Sequence, residues 1–77
     1  GLELAYEAGR TGGSLPTVFN AANELAVSQF LNRKIKYLEI TEIIEDCMKA
    51  HKNIENPTLE QILETEAATY ERINSRR

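Results

Sequence analysis

Among the residue types that carry out catalysis or bind metals, carboxylates are plentiful in this 77-residue chain, with 12 Asp and Glu, but they fall on predicted solvated faces, and there is only one histidine and one cysteine. Nucleophilic catalysis pairs a hydroxyl or thiol with a nearby base, yet the one histidine, His51, has no suggestive spacing from Ser14, Ser28 or Ser75. The single thiol, Cys47, excludes an internal disulfide and gives no metal framework. We interpret Cys47 as a small buried apolar residue, and we expect no catalytic residue in this chain.

The run from Gly9 to Gly13 is the one glycine-rich stretch. Phosphate-binding glycine loops follow a strand and open a helix, whereas this run follows a helical pattern and is predicted to end it. No group of His, Cys, Asp and Glu has the spacing of a zinc ligand set. The patterns therefore predict no cofactor-binding residue and no metal ligand.

Two asparagines, Asn20 and Asn23, stand among apolar residues. Asn23 shares a helical face with Phe19 and Phe30, and Asn20 borders that face. A buried amide without partners costs about 1–3 kcal/mol, so we expect both to hydrogen-bond to the backbone of a neighbouring loop or helix end. They are predicted to be structural; ligand binding by the pair is the alternative.

Glu66 falls among apolar residues of the last predicted helix. A buried charge needs a partner, which Arg10, His51, a helix N-terminus or another domain could supply. We predict a structural role in a salt bridge or cap, since general acid or base catalysis would need a cleft and a second group. For His51 we favour an imidazole stabilised by the dipole at a helix C-terminus, over metal binding.

The elements that position these side chains are predicted to be helices, because apolar residues recur at helical spacing in four segments. The segments run from about Leu2 to Arg10, Leu15 to Asn32, Glu39 to Lys52 and Leu59 to Ile73. The second is apolar over most of its surface and is predicted to be central. Ser14 is its predicted N-cap, and Thr58 with Gln61 predicts a capping box before the last helix. The buried face of the last helix is predicted to contain Leu59, Ile62, Leu63, Tyr70 and Ile73. The prediction is an all-α fold, a small four-helix bundle-like domain.

Composition excludes several classes of protein. Net charge is −3 and the basic residues are scattered, which argues against a nucleic-acid partner. No apolar run approaches the roughly 18 residues of a membrane span, and no signal peptide is indicated, so we expect no membrane partner. The single cysteine, which can form no internal disulfide, predicts a cytoplasmic setting. A helical pattern that starts at the first residue, with no leader or cap, suggests that the chain belongs to a longer polypeptide.

Three ordered motifs resemble the family of 1-deoxy-D-xylulose 5-phosphate reductoisomerases. They are Leu4-Ala5-Tyr6-Glu7-Ala8-Gly9-Arg10-Thr11-Gly12-Gly13, Pro16-Thr17-Val18-Phe19-Asn20-Ala21-Ala22-Asn23-Glu24 and Pro57-Thr58-Leu59-Glu60. The resemblance implies that residues 1–77 are the C-terminal helical domain of a three-domain enzyme, whose NADPH-binding and catalytic domains lie outside this chain. It implies NADPH and Mg²⁺ or Mn²⁺ as cofactors of the whole enzyme, homodimerisation, and the catalytic domain of the same polypeptide as partner.

On this reading the enzyme converts 1-deoxy-D-xylulose 5-phosphate to 2-C-methyl-D-erythritol 4-phosphate in non-mevalonate isoprenoid biosynthesis, and this segment alone is inactive. None of the family's catalytic or ligand residues maps onto the chain. A free-standing helical module that binds a partner helix along an apolar groove is the alternative. A helix-turn-helix nucleic-acid binder is a third hypothesis, which the acidic balance disfavours.

Overall fold

The computed structural model describes residues 2–76, which form four α-helices and contain no β-strand. The helices are α1 (Leu2–Thr11), α2 (Leu15–Leu31), α3 (Tyr37–Ala50) and α4 (Leu59–Asn74). Because α2 contacts each of the other three, it is the central helix, as its broad apolar surface predicts. The all-α, four-helix class expected from the sequence is confirmed.

Two glycines form the turn between α1 and α2. Gly12 and Gly13 have φ values of 71° and 64°, in the left-handed region that glycine adopts without steric penalty. The Gly12 N–H donates to the carbonyl of Ala8 at 3.0 Å, which closes the last turn of α1. The glycine run therefore ends a helix, as predicted.

A left-handed residue also ends α2, but here it is an arginine. Arg33 has φ 60°, and the N–H of Lys34 donates to the carbonyl of Gln29 at 2.8 Å. This is the hydrogen-bond pattern of a Schellman motif, in which glycine is the usual left-handed residue. The chain then turns at once into α3.

The third helix begins and ends earlier than the sequence suggests. A carboxylate oxygen of Glu39 accepts from the N–H of Lys36 at 2.7 Å, so the helix starts at Tyr37 and not at Glu39. At the other end His51 has an extended backbone, with φ −81° and ψ 136°. The helix therefore stops at Ala50, because the chain beyond it turns back toward the start of α2.

The predicted capping box of α4 is confirmed. The hydroxyl of Thr58 accepts from the N–H of Gln61 at 3.1 Å, and the side-chain oxygen of Gln61 accepts from the N–H of Thr58 at 2.9 Å. Two N–H groups that would otherwise lack partners are thus satisfied reciprocally.

The buried face of α4 matches the prediction only in part. Ile73 is buried as predicted, together with Thr65 and Thr69, whereas Leu59 and Leu63 are 72% and 56% exposed. The hydroxyl of Thr69 donates to the carbonyl of Thr65 at 2.8 Å, so it can be buried without an external partner. The prediction ranked residues by apolarity and therefore placed the leucines inside. Short threonines instead form the packed face, which allows a close approach of helices.

One hydrophobic core joins all four helices. Its buried members are Ala8, Leu15, Val18, Ala22, Ala26, Ile43, Ile44, Cys47, Met48 and Ile73. Ile43 and Ile44 are each only 2% exposed, and burial of such a side chain contributes about 1.5–3 kcal/mol. Three of the five buried residues of α2 are alanines, Ala21, Ala22 and Ala26, so this helix meets its neighbours largely through small side chains.

Candidate functional site

The two asparagines that we expected to be buried lie on the surface. Asn20 and Asn23 are both exposed on α2, so water can satisfy their amides and neither needs a loop or helix end as partner. Within residues 2–76, the expectation that both amides are buried and bonded to a loop or helix end is therefore wrong. The central helix is covered on three flanks only, and these amides lie on the part of its surface that no other helix in residues 2–76 covers.

Glu66 is exposed as well, for the same reason that Leu63 is. The packed face of α4 contains Thr65 and Thr69, so Leu63 and Glu66 face solvent. A carboxylate in water needs no internal salt bridge, so the expectation of a buried charge is wrong. The ion pairs among residues 2–76 join other residues, which are Glu45–Lys49, Asp46–Arg72 and Asp46–Arg76.

A polar cluster that the sequence did not predict holds the start of α2 against the segment after α3. Ser14, which is 0% exposed, lies with its hydroxyl oxygen 2.6 Å from Nε2 of His51. The same oxygen accepts from the N–H of Ile54 at 2.8 Å and lies 3.2 Å from Oδ1 of Asn53. We call Ser14, His51, Asn53 and Ile54 the polar knot.

Ser14 is the N-cap residue of α2, as predicted, but the side chain that accepts from the first N–H groups is that of Asn53. Its Oδ1 accepts from the backbone N–H groups of Ser14 and Leu15, at 3.0 and 2.9 Å. The hydroxyl of Ser14 makes no capping bond to its own helix, so Ser14 has the predicted position without the side-chain bond that is usual for an N-cap. The first N–H groups of a helix lack partners within the helix, and here a residue 38 positions away from Leu15 supplies one.

The close contact between Ser14 and His51 resembles the hydroxyl–imidazole pair of nucleophilic catalysis. The surroundings exclude that use in this fold, since the hydroxyl is fully buried and already accepts a backbone N–H. Oδ1 of Asn53 can only accept, so the arrangement that uses all three contacts has Ser14 donating to Asn53 and accepting from Ile54 and His51. An imidazole that donates through Nε2 is not a base toward this hydroxyl.

Burial shifts the pKa of two groups near the end of α3. It lowers the pKa of His51 from its ordinary value of 6.5, because the charged imidazolium loses solvation. His51 has the predicted position at the C-terminus of α3, but its burial favours the neutral imidazole over a dipole-stabilised cation. Burial is also the largest cause that raises the pKa of Cys47. At 3% exposure, that thiol is the buried apolar residue that we predicted.

A second polar cluster joins α3 to the end of α4. Arg72 makes two hydrogen bonds to the carboxylate of Asp46, from Nε at 2.9 Å and from Nη2 at 3.1 Å. Arg76 adds a longer contact at 3.4 Å. The hydrogen bond from Arg72 is the largest cause that lowers the pKa of Asp46. The cluster is partly exposed and links two helices.

An apolar groove lies between α1 and α3, with α2 as its floor. We call it the α1–α3 groove; its volume is about 380 Å³. Its lining includes Leu2 on α1, Phe19 and Asn23 on α2, and Tyr37, Ile40 and Thr41 on α3. Leu2 is 87% exposed and Tyr37 is 69% exposed. Apolar side chains at that exposure, next to one another, are typical of a surface that another protein segment covers.

Residues 2–76 do not fit the cofactors that the sequence resemblance implies. No group of three or more His, Cys, Asp or Glu side chains in this range could hold a metal ion, and the range contains no strand to precede a nucleotide-binding loop. We therefore assign no NADPH or Mg²⁺ site here and derive no reaction step from these helices. No helix in the described part of the chain is long and apolar enough to cross a membrane.

Sequence reasoning missed the polar knot because its parts are far apart in the chain. The available signal was weak: a short hydroxyl residue after two glycines, and His51 with Asn53 after an amphipathic helix. Each part has an ordinary local interpretation, and only the packing of α2 against α3 brings them together.

Comparison with known proteins gives one consistent result. Residues 1–72 match the family described as the DXP reductoisomerase C-terminal domain. The chain is 58% identical over 76 residues to the 1-deoxy-D-xylulose 5-phosphate reductoisomerase of Agathobacter rectalis, which covers 99% of this chain and 20% of that protein. The reductoisomerases of Lachnospira eligens and Clostridium novyi are each 57% identical, over 99% and 87% of the chain.

The chain spans about a fifth of the length of these curated relatives. The matched region includes the α1–α2 turn, the whole of α2 and the polar knot, since it extends over nearly all of the described residues. On these matches, and with the all-α fold that the resemblance implied, the chain belongs to the family of DXP reductoisomerase C-terminal domains.

Proposed function

We propose that this chain is the structural C-terminal domain of an enzyme that converts 1-deoxy-D-xylulose 5-phosphate to 2-C-methyl-D-erythritol 4-phosphate with NADPH and a divalent metal. The observation that carries the proposal is the family match over residues 1–72, with 58% identity to a reductoisomerase five times as long. The residues that bind NADPH and Mg²⁺ or Mn²⁺ lie on the preceding polypeptide in this proposal, as two further domains.

The domain itself would act by packing against the catalytic domain. A structural role agrees with the polar knot, in which the hydroxyl, imidazole and amide stabilise a loop. It agrees also with the exposed positions of Asn20, Asn23 and Glu66, which we propose to be structural contacts outside this bundle. We further propose a homodimeric enzyme in the reducing cytoplasm, where a free thiol such as Cys47 is stable.

Three proteins test the proposal: the full-length enzyme, the enzyme without residues 1–77, and the 77-residue chain alone. Each is given 1-deoxy-D-xylulose 5-phosphate, NADPH and Mg²⁺ or Mn²⁺, and the absorbance of NADPH is followed. We expect turnover by the full-length enzyme and none by the 77-residue chain. Turnover by the chain alone would contradict a purely structural role, and an inactive full-length enzyme would contradict the assigned reaction.

Two further measurements test the remaining parts. Sedimentation of the full-length enzyme should give twice the mass of one chain if it is a homodimer. Removal of residues 1–77 should lower the stability of what remains, because the surface that this domain covers is then exposed to water. A truncated enzyme with unchanged thermal stability would contradict the proposed packing.

A further inference from the structure

Large apolar side chains are exposed on all four helices, among them Tyr6, Leu31 and Leu38, but the surfaces that they form differ in shape. On α4, Leu59 and Leu63 project from a single helix. The α1–α3 groove is instead concave and is formed by three helices. A concave apolar surface can enclose side chains of another segment on several sides, so it removes more apolar area from water than a single helix does.

The groove is not uniformly apolar. Asn23 lies on its floor and Thr41 on its α3 side, and both are exposed. If an apolar segment covered them, each would lose water and need a new hydrogen-bond partner. An asparagine amide both donates and accepts, so a backbone peptide group of the covering segment can satisfy it. The groove therefore suits a segment with apolar side chains that brings a peptide group to Asn23.

The position of the groove indicates which polypeptide supplies this segment. Leu2, which lines the groove, is the first residue of α1. In a C-terminal domain of a longer enzyme, the preceding polypeptide joins the domain at this point. A segment that is tethered beside its binding surface has a high effective concentration there, typically in the millimolar range for a short linker. No separate partner has this advantage.

We infer that the α1–α3 groove is the surface where this domain docks onto the preceding polypeptide of its own enzyme, which inserts apolar side chains between Leu2 and Tyr37 and bonds to Asn23. The inference rests on the proposed function, because it requires the longer enzyme. It assigns the docking surface to one side of the bundle and leaves the exposed face of α4 in solvent or for other contacts.

Labelling of introduced cysteines in the full-length enzyme tests the inference. Asn23→Cys and Thr41→Cys place a small thiol in the groove. Glu42→Cys, one residue further on α3, and Ala67→Cys on α4 are matched controls, since both positions are exposed and outside the groove. Labelling of the parent enzyme measures the background from Cys47, which is buried, and from any other native thiol. This background is subtracted from the labelling of each variant.

We expect a maleimide to label the two groove thiols roughly tenfold more slowly than the two control thiols in the native enzyme, and all four at similar rates in urea. Circular dichroism of each variant checks that it has folded. Because two groove positions are used, the test still holds if one of the variants does not fold. Equal native rates at groove and control positions would overturn the inference.

Dilution distinguishes the proposed occupant from a second copy of the chain. Protection by the same polypeptide is independent of enzyme concentration, so the rates at Asn23→Cys and Thr41→Cys should not change over a hundredfold dilution. Protection that is lost on dilution would assign the groove to a subunit interface and overturn the inference. Neither readout involves turnover, so failure here is distinguishable from an absence of reductoisomerase activity.

Discussion

The hydroxyl of Ser14 lies 2.6 Å from Nε2 of His51, although 37 residues separate them in the chain. This contact, with the N–H groups of Ser14 and Leu15 that donate to Asn53, fixes the first turn of α2 to the segment that follows α3. The domain thus uses a serine and a histidine, residue types that elsewhere perform catalysis, to hold the segment whose Asn53 accepts from the start of α2. Several measurable properties of the domain depend on this arrangement.

The stability of the domain should fall when the pH is lowered from about 7.5 to 5.5. Burial lowers the pKa of His51 below 6.5 in the folded state, so the unfolded chain binds the proton more readily and stability increases with pH. The contribution is complete above the ordinary pKa and is lost as the pH falls through the folded value. Because His51 is the only histidine, urea denaturation of His51→Gln should show a much smaller change. An equal change in the variant would contradict this origin.

Asn53 should tolerate one acidic substitution but not truncation. Asn53→Ala removes the acceptor of two α2 N–H groups and should reduce the free energy of unfolding by about 0.5–2 kcal/mol, the usual range for a lost cap. Asn53→Asp keeps the acceptor and adds a negative charge at a helix N-terminus, which is favourable by about 0.3–1 kcal/mol. Chemical denaturation of the pair measures the difference. Similar losses in both variants would show that Oδ1 is not the important atom.

The two glycines of the α1–α2 turn should differ in their response to alanine. A Cβ at Gly13 would lie 2.5 Å from the carbonyl oxygen of Ile54, whereas a Cβ at Gly12 would meet nothing within 4 Å. Gly12→Ala should therefore cost only the left-handed backbone penalty of about 1–2 kcal/mol. Gly13→Ala adds a steric overlap of about 1–3 kcal/mol. In thermal denaturation it should therefore unfold at a lower temperature than Gly12→Ala. Equal losses of stability in the two variants would mean that the segment containing Ile54 moves aside without an energetic cost.

Arg33→Gly should stabilise the domain. Arg33 adopts φ 60° at the end of α2, a conformation that costs a non-glycine residue roughly 1–2 kcal/mol. Part of that gain is offset by the greater backbone freedom of glycine in the unfolded chain, so we expect a net gain of up to about 1 kcal/mol. Arg33→Ala removes the same side chain without relieving the backbone, and it is the control. A gain of equal size in Arg33→Ala would indicate a charge effect.

Acid should weaken the link between α3 and α4. The hydrogen bond from Arg72 lowers the pKa of Asp46 below 3.8, so its contribution is present above that value and is lost as the pH falls through the lowered one. Because the side chains are partly exposed, Asp46→Asn should cost at most about 1 kcal/mol at pH 6, and less at pH 3. Glu45→Gln, which breaks a longer pair on the same helix, should cost less. A larger effect at pH 3 would contradict this assignment.

Local patterns predicted the helices well. The capping box of Thr58 and Gln61, the glycine stop and the central position of α2 all depend on residues within a few positions of one another. Each helix boundary that differed has a structural cause: Glu39 reaches back to Lys36, and the polar knot ends α3 early.

The orientation of faces was harder to predict. α4 presents both leucines and threonines at helical spacing, and apolarity favoured the leucines, yet Thr65 and Thr69 are buried. The face of α2 that contains Asn20 and Asn23 was predicted to be buried because it is rich in apolar residues. The two asparagines are exposed here and Phe19 and Phe30 are half-buried, and under the inferred docking the apolar residues near Asn23 are covered by polypeptide outside this sequence. Apolar residues on a helix can be buried by another domain as well as by their own, so a sequence pattern can predict burial without identifying which polypeptide provides it.

The cap on α2 also has a consequence for the order of events during synthesis. The amide groups that open α2 leave the ribosome long before Asn53, so water alone can satisfy them while the middle of the domain is being made. A nascent chain that ends before the segment after α3 should contain a frayed second helix. Translation of the segment after α3 then supplies the Asn53 acceptor before α4 is made. Circular dichroism of a peptide ending at Ala50, compared with one ending at Pro57, would show the delayed gain in helix without a contribution from α4.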